Sequence, residues 1–289
     1  MSLAAVVVLA LASGPPAWGP GRLADLAEAS SPCAVKPGES LIEIARRYDL
    51  GYREIADANP TLDPFLPGTG VLVRVPAARI LPAEAAPGRI LVNLSERRLY
   101  YGYRRPGDGL PAVLSFPVGV ARKRWPTPLG SYTITAREVN PAWRVPPSIL
   151  RERPGLPSLV PPGPDDPLGT RALRLSGGDI LIHGTNRPWG VGRRVSHGCV
   201  HLYPEDMLKL FPLTRLGTTV LIVREPIKAC SGPGGRVYVE VHADPDLHLD
   251  YLGAARSLLA SRGLLGRVDP HKLLLAVGAP SGIPTDVSD

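Results

Sequence analysis

Residues 179–204 read DILIHGTNRPWGVGRRVSHGCVHLYP and concentrate the reactive side chains of the chain. The stretch holds three of the six histidines, His183, His197 and His201, and one of the three cysteines, Cys199. Histidine and cysteine supply most of the bases and nucleophiles of enzyme sites. The stretch therefore predicts where the chemistry of this protein takes place, and the rest of the chain is interpreted around it.

Two short strands are predicted within this stretch. Residues 179–183 alternate in polarity and stop at a glycine, and residues 195–202 form a second β-prone run. The proline and two glycines of residues 187–194 predict a turn-rich connection between the two runs. If residues 196–201 are extended, His197, Cys199 and His201 lie on one face, because strand side chains alternate with period two.

This arrangement suits nucleophilic catalysis. A thiol is a weak nucleophile until an imidazole takes its proton. His183 lies sixteen positions before Cys199, which is far enough for the loop to return one strand beside the other. The backbone amides at Gly198 and Cys199 are then placed to stabilise an oxyanion.

The same residues carry a family resemblance. HGTN at 183–186 followed by SHGCV at 196–200 resembles the signature of the L,D-transpeptidase catalytic domain, the YkuD or ErfK/YbiS family. The resemblance implies that Cys199 is the nucleophile and His183 its base, oriented by the carbonyl of Gly184. It also implies that the site is shaped by three further residues, Ser196, His197 and Gly198. The chain has His201 where the family most often has arginine or asparagine.

Other functions are open at this point. The four residues His183, His197, Cys199 and His201 could bind zinc and make the protein a hydrolase, although they lack the usual paired ligand spacing. An L,D-carboxypeptidase uses the same acyl-enzyme with water as acceptor. The replacement at His201 is also compatible with an inactive wall-binding protein.

A small module precedes the reactive stretch. Residues 33–76 predict a strand, two helices and a strand, with Ser40 able to cap the first helix. The segments VKPGESL, IARRY and ANP resemble a LysM module, which implies binding to N-acetylglucosamine-containing glycan through loop residues. A degenerate module that binds nothing is the alternative.

The predicted fold class is mainly β. Residues 77–88 are a Pro/Ala linker, and residues 89–241 show short strands with Gly/Pro punctuation, typical of a β-sandwich of the L,D-transpeptidase type. Residues 140–170 are long for a connection, which suggests a flap over the substrate groove or, alternatively, a rigid surface coil. Residues 242–289 predict a short helical C-terminal extension with no assigned function.

The N-terminus and the composition point to export. Residues 1–19 contain an apolar run of the length of a signal peptide, although an uncleaved anchor is the alternative. The net charge of +7 suits an anionic partner such as a cell-wall polymer, and no nucleic-acid-binding motif is present. We expect a periplasmic or wall-associated protein. Cys33 and Cys230 could form a disulfide or remain free thiols.

The resemblance implies a peptidoglycan L,D-transpeptidase that needs no cofactor and no metal. Its donor is a tetrapeptide stem that loses D-alanine. Its acceptor is a second stem, a lipoprotein lysine, water or a D-amino acid. Charge and position make Arg193, Arg194 and His201 candidates to hold a substrate carboxylate.

Overall fold

The structure, a computed structural model, describes residues 32–289 and the backbone of residues 22–24. The predicted signal peptide, residues 1–19, lies outside the described residues. None of the helices in the described part is long and apolar enough to cross a membrane.

The N-terminal part contains the predicted strand–helix–helix–strand module. Its elements are β1 (Arg22–Ala24), β2 (Cys33–Ala34), α1 (Leu41–Arg47), α2 (Tyr52–Ala58), β3 (Leu72–Val73) and β4 (Arg79–Leu81). Strand β2 pairs with β3, and β1 pairs with β4. Ser40 caps α1 as predicted, and the Glu43 carboxylate accepts a hydrogen bond from the Ser40 N–H at 2.7 Å. Leu41, Ile44 and Ile55 are fully buried and form the core of this module.

The central part is a β-sandwich. Its strands before the long segment 140–170 are β5 (Arg89–Asn93), β6 (Arg98–Arg104), β7 (Pro111–Ala121) and β8 (Gly130–Val139). Its strands after that segment are β11 (Arg171–Leu175), β12 (Leu181–His183), β13 (Arg194–Ser196), β14 (Val200–Leu202) and β15 (Thr219–Val223), and the helix α4 (Pro204–Leu210) joins β14 to β15. The nine strands are hydrogen-bonded in the order β13-β7-β14-β12-β11-β8-β15-β5-β6, and β7 also pairs with β6, so the sheet folds over and closes on itself. Apolar residues from strands throughout this sheet, among them Ile90, Phe116, Ile182 and Val200, form one core.

The long segment 140–170 carries secondary structure of its own. It contains β9 (Trp143–Arg144), α3 (Pro147–Glu152) and β10 (Leu159–Val160), with β9 and β10 paired antiparallel. The connection between β8 and β11 is therefore an insertion with its own strands and helix.

The C-terminal part is a compact unit of strands and helices. Its elements are β16 (Ile227–Ser231), β17 (Val237–Val241), α5 (Tyr251–Ser261), α6 (Pro270–Gly278) and β18 (Thr285–Asp286). The three strands form a separate sheet, and α5 and α6 pack their apolar faces on it. The two helices were predicted, but the expected boundary at residue 241 divides this unit, because β17 pairs with β16 and β18 and not with the sandwich.

A buried ion cluster joins the C-terminal unit to the sandwich. Lys228 of β16 lies 2.5 Å from Glu96, which follows β5, and 2.8 Å from Glu240 of β17. Its ammonium also donates to the carbonyl of Ile80 at 2.6 Å. All three charged side chains are almost completely buried, so the lysine is shared by two carboxylates that are largely removed from water.

The N-terminal module is docked on the sandwich. Arg98 of β6 is 2% exposed and donates to both Glu54 carboxylate oxygens of α2 at 2.8 Å. The Tyr203 hydroxyl donates to the Leu50 carbonyl at 3.0 Å. On the surface, Arg46 pairs with Glu205 at 2.7 Å. The module is thus held by a buried ion pair as well as by exposed contacts.

The three cysteines are free thiols. Cys33 belongs to the core of the N-terminal module, whereas Cys230 packs with Ile80 and Tyr238 at the C-terminal sheet. Of the two possibilities left open for this pair, the structure has the separate thiols.

Candidate active site

Parallel pairing brings the two predicted strands together. Strands β12 and β14 run side by side, with Ile182 opposite Val200 and His183 opposite His201. The His183 and His201 rings pack against each other with centroids 4.4 Å apart. Cys199 immediately precedes β14 and therefore lies beside Leu181, the first residue of β12.

The prediction of one continuous strand over residues 195–202 is wrong. The run is divided into β13 and β14 by a bend at residues 197–199. Gly198 has a φ of +116°, a conformation that residues with a side chain rarely adopt. The Ser196 hydroxyl donates to the Cys199 carbonyl at 2.6 Å and closes the bend. His197, Cys199 and His201 consequently do not share one face.

His197 points to the long 140–170 segment. Its Nε2 atom lies 3.0 Å from a carboxylate oxygen of Glu152, the last residue of α3. The ring also lies 5.7 Å from the Trp125 ring. The hydrogen bond to His197 lowers the pKa of the Glu152 carboxyl. Glu152 and Trp125 were not among the predicted site residues, because no spacing in the sequence relates them to residues 196–199.

His183 is held as a neutral imidazole. It is 3% exposed, and burial lowers its pKa to about 4 against the opposing effect of the Gly184 and Leu168 carbonyls. Its Nδ1 atom lies 2.7 Å from the Gly184 carbonyl oxygen. Because a carbonyl oxygen only accepts, this contact assigns the ring hydrogen to Nδ1 and leaves a lone pair on Nε2.

Cys199 is held as a neutral thiol. Its Sγ atom lies 3.6 Å from the Asp179 carbonyl oxygen. Burial raises the pKa of the thiol to about 11, although the Leu181 N–H acts in the opposite direction. The Gly198 and Cys199 N–H groups donate to no acceptor among the described residues, so both are available to a ligand.

The His201 ring packs against the His183 ring. Burial, followed by the neighbouring His183 and His197, lowers the pKa of His201 well below its ordinary value. Its ring packs on His183 at the register position that the strand pairing gives it. The structure thus gives His201 a packing contact with His183, and its role as a substrate-binding residue stays a prediction.

Arg193 and Arg194 also have other partners. The Arg193 guanidinium lies 3.7 Å above the centre of the Tyr52 ring in the N-terminal module. Arg194 forms ion pairs with Asp244, at 3.0 Å, and with Asp246. Each guanidinium therefore has a partner in a neighbouring unit of the same chain, and a role of these two arginines toward a substrate carboxylate stays a prediction.

The four-residue zinc site is not assembled. Among residues 32–289, the set with metal-binding geometry is Glu96, Glu240 and His242, which shares no residue with the predicted ligands. Lys228 is in contact with both carboxylates of that set and offsets one of their two negative charges.

Comparison with known proteins identifies the family. Residues 87–222 match the YkuD L,D-transpeptidase catalytic domain, and residues 33–64 match the LysM domain. The probable L,D-transpeptidase YcfS of Escherichia coli K12 is 34% identical over 86% of this chain and 81% of its own length. The chain belongs to the L,D-transpeptidase family.

Two further relatives agree with this assignment. The probable L,D-transpeptidase ErfK/SrfK of Escherichia coli K12 is 33% identical over 86% of this chain and 83% of its own length. The probable L,D-transpeptidase YbiS of the same strain is 38% identical over 68% of this chain and 64% of its own length. The protein is thus a transferase of the L,D-transpeptidase type, with a LysM domain before the catalytic domain.

The Ser196 contact gives a first testable prediction for this L,D-transpeptidase. Ser196→Ala removes the hydrogen bond that closes the 197–199 bend and leaves the partly buried Cys199 carbonyl without this donor, a cost of about 0.5–1.5 kcal/mol. We expect the rate of Cys199 acylation by a muropeptide donor to fall roughly tenfold. Ser231→Ala, at an exposed serine of β16, is the matched control. Equal rates for the two variants would show that the hydroxyl does not hold the bend.

Proposed function

We propose that this L,D-transpeptidase acts on peptidoglycan tetrapeptide stems through a Cys199 acyl-enzyme. The observation that supports the proposal is the parallel pairing of β12, which ends at His183, with β14, which begins directly after Cys199. The His183 imidazole has its hydrogen on Nδ1 and a free lone pair on Nε2. A lone pair on His183 is what a thiol with a raised pKa requires for activation.

In the first half-reaction the Cys199 sulfur attacks the carbonyl carbon of the diamino acid at stem position three. His183 Nε2 accepts the thiol proton as the C–S bond forms. The oxyanion is stabilised by the N–H groups of Gly198 and Cys199, which lack acceptors among the described residues. The amide bond then breaks, and His183 returns the proton to the amine of D-alanine, which leaves a thioester on Cys199.

In the second half-reaction an acceptor amine attacks the thioester. His183 takes a proton from the amine, the C–S bond breaks, and the cysteine thiol is regenerated. The acceptor is a second stem in cross-linking, or a lipoprotein lysine in protein attachment, and water gives a carboxypeptidase. All acceptors use the same intermediate, so we expect ping-pong kinetics.

Two further parts of the chain fit this function. The LysM domain supplies glycan binding, which keeps the enzyme on its polymeric substrate while the catalytic domain acts on the stems. A peptidoglycan substrate places the protein in the periplasm or at the cell wall. The segment 140–170, anchored to His197 through Glu152, serves as the flap that bounds the substrate groove.

Intact-mass spectrometry tests the proposal. The protein and its Cys199→Ala variant are incubated with a tetrapeptide-stem muropeptide. We expect an acyl adduct with loss of D-alanine on the wild type, none on the variant, and products in the same tube that name the acceptor. Wild-type protein that binds glycan but forms neither adduct nor product would support the inactive wall-binding function instead.

A further inference from the structure

Residues 192–194 lead directly into the bend that carries Cys199. The segment lies along the end of β7, where the Gly192 N–H donates to the Val118 carbonyl at 3.1 Å and the Arg193 carbonyl accepts from Val120 at 2.9 Å. Ser196, which closes the bend, follows two residues later. Any displacement of this segment is therefore transmitted to the bend.

One side of the segment is held by the LysM domain. The Arg193 guanidinium stacks on Tyr52 and lies 5.7 Å from the centre of the Phe65 ring. The Tyr52 N–H donates to the Val191 carbonyl at 3.2 Å. A Cβ atom on Gly192 would lie 2.3 Å from the Tyr52 nitrogen. The two backbones are thus in direct contact.

The other side is held by the C-terminal unit. Arg194 pairs with Asp244, whose side chain is fully buried, and with Asp246. Asp244 is itself fixed, because it accepts from the Ser95 hydroxyl at 2.7 Å and from Arg224 at 3.1 Å. Because Asp244 is fixed by these hydrogen bonds, its ion pair with Arg194 holds the Arg194 side chain in one position.

Successive residues of an extended segment point in opposite directions. Arg193 and Arg194 accordingly reach the two flanking units of the chain, and both units restrain the same short segment. We infer that Arg193 and Arg194 are positioning residues, through which the LysM domain and the C-terminal unit together hold the Cys199 bend in its reactive geometry. The inference rests on the proposed role of Cys199 as nucleophile.

This inference gives a function to the C-terminal unit, which the sequence left without one. The inference also gives the LysM domain a role besides glycan binding. The contact of its Tyr52 with Arg193 contributes to the alignment of the nucleophile even when the donor is soluble. Sub-ångström alignment of reacting groups affects rate far more than it affects stability. The effect is therefore expected in the acylation rate constant rather than in substrate affinity.

The experiment compares three variants of the full chain with a soluble tetrapeptide-stem muropeptide. Arg193→Ala and Asp246→Asn weaken the two restraints. Arg46→Ala is the matched control, because Arg46 also joins the LysM domain to the catalytic domain, through Glu205, but does not touch residues 192–194. Acylation is followed by intact mass across donor concentrations, and thermal unfolding is recorded for each variant.

We expect Arg193→Ala and Asp246→Asn to lower the maximal acylation rate about tenfold with an unchanged KM, and Arg46→Ala to stay within about twofold of the wild type. Arg193→Lys, which keeps a cation over the Tyr52 ring, should recover part of the loss. A raised KM with an unchanged maximal rate would overturn the inference and return Arg193 to substrate binding. Equal rates in all three variants would also overturn it.

Alkylation of Cys199 by iodoacetamide provides a readout that does not need the peptidoglycan reaction. A displaced bend changes the exposure and surroundings of the thiol, so the alkylation rate of Cys199 should differ from the wild type in Arg193→Ala and Asp246→Asn, but not in Arg46→Ala. If the wild type forms no acyl adduct, the proposed function fails. The alkylation rates would still test whether Arg193 and Arg194 hold the bend that carries Cys199.

Discussion

His183→Gln is expected to lower the rate of Cys199 acylation by a factor between about 10² and 10⁴ at neutral pH, the usual contribution of a general base. Glutamine keeps a polar side chain of similar size in a buried position but cannot take the thiol proton. Because the pKa of Cys199 is raised to about 11, little thiolate is present without a base. The rate is measured by intact mass with a tetrapeptide-stem donor.

The pH dependence of acylation should change with the same substitution. With pKa values of about 4 for His183 and about 11 for Cys199, both groups of the wild type are neutral from about pH 5 to about pH 10, and the rate should be nearly constant there. The His183→Gln variant depends on free thiolate instead, so its rate should rise about tenfold per pH unit toward pH 11.

His201→Gln is the matched control for this experiment. His201 packs on the same ring and occupies the paired register position, so its replacement disturbs local packing without removing the base. We expect a loss below roughly tenfold and a flat pH profile. If both glutamine variants lost the same activity and kept the same profile, His183 would contribute packing and not proton transfer.

Lys228→Met is expected to produce the largest loss of stability. The substitution removes the ammonium that lies against the buried carboxylates of Glu96 and Glu240 and leaves His242 as the nearest ionisable partner of Glu240. Breaking a buried pair in this way costs about 3–5 kcal/mol in the free energy of unfolding. The measurement is denaturant unfolding at pH 7. Lys123→Met, at an exposed lysine, is the control and should be close to neutral.

The loss of stability caused by Lys228→Met should be smaller in acid than at pH 7. Burial alone would raise the pKa of Glu240, but Lys228 and then His242 lower it to about 2, from an ordinary value of 4.5. A lowered carboxyl pKa stabilises the fold above about pH 4.5, and this contribution is lost as the pH falls toward 2. The difference in the free energy of unfolding between the wild type and Lys228→Met should therefore decrease as the pH falls from about 4.5 toward 2. Lys228→Met combined with Glu240→Gln should recover part of the stability at pH 7, and a deficit that is the same at pH 7 and pH 3 would contradict this account.

Local sequence patterns predicted much of the fold and led to the proposed centre of the site. The capped helix α1 follows from Ser40 and Glu43, which are three residues apart, and β12 follows from a short alternating run that ends at a glycine. Cys199 and His183 were selected because each stands in a short segment, HGTN and SHGCV, that resembles the family signature. In each case the pattern that supports the prediction lies within a few residues, where periodicity, capping chemistry and short motifs act.

The errors arose where distant residues decide the outcome. The run 195–202 has β-prone residues throughout, but the Ser196–Cys199 contact and the positive φ of Gly198 break it into two strands. Arg194 looked like a free cation because its partners, Asp244 and Asp246, are about fifty residues away in sequence. Likewise, β17 belongs to the C-terminal sheet through pairing with residues near the end of the chain. Partner choice over such separations is a tertiary property that local propensity does not encode.

The backbone contact between Gly51 and Gly192 has a consequence for the exchange of modules. A Cβ atom on Gly51 would lie 2.8 Å from the Gly192 Cα atom, so neither position accepts even an alanine without separating the two domains. A LysM module transplanted from another protein would need a glycine at the start of its second helix to seat here. The glycine pair therefore restricts which modules recombination between wall enzymes can join to this catalytic domain.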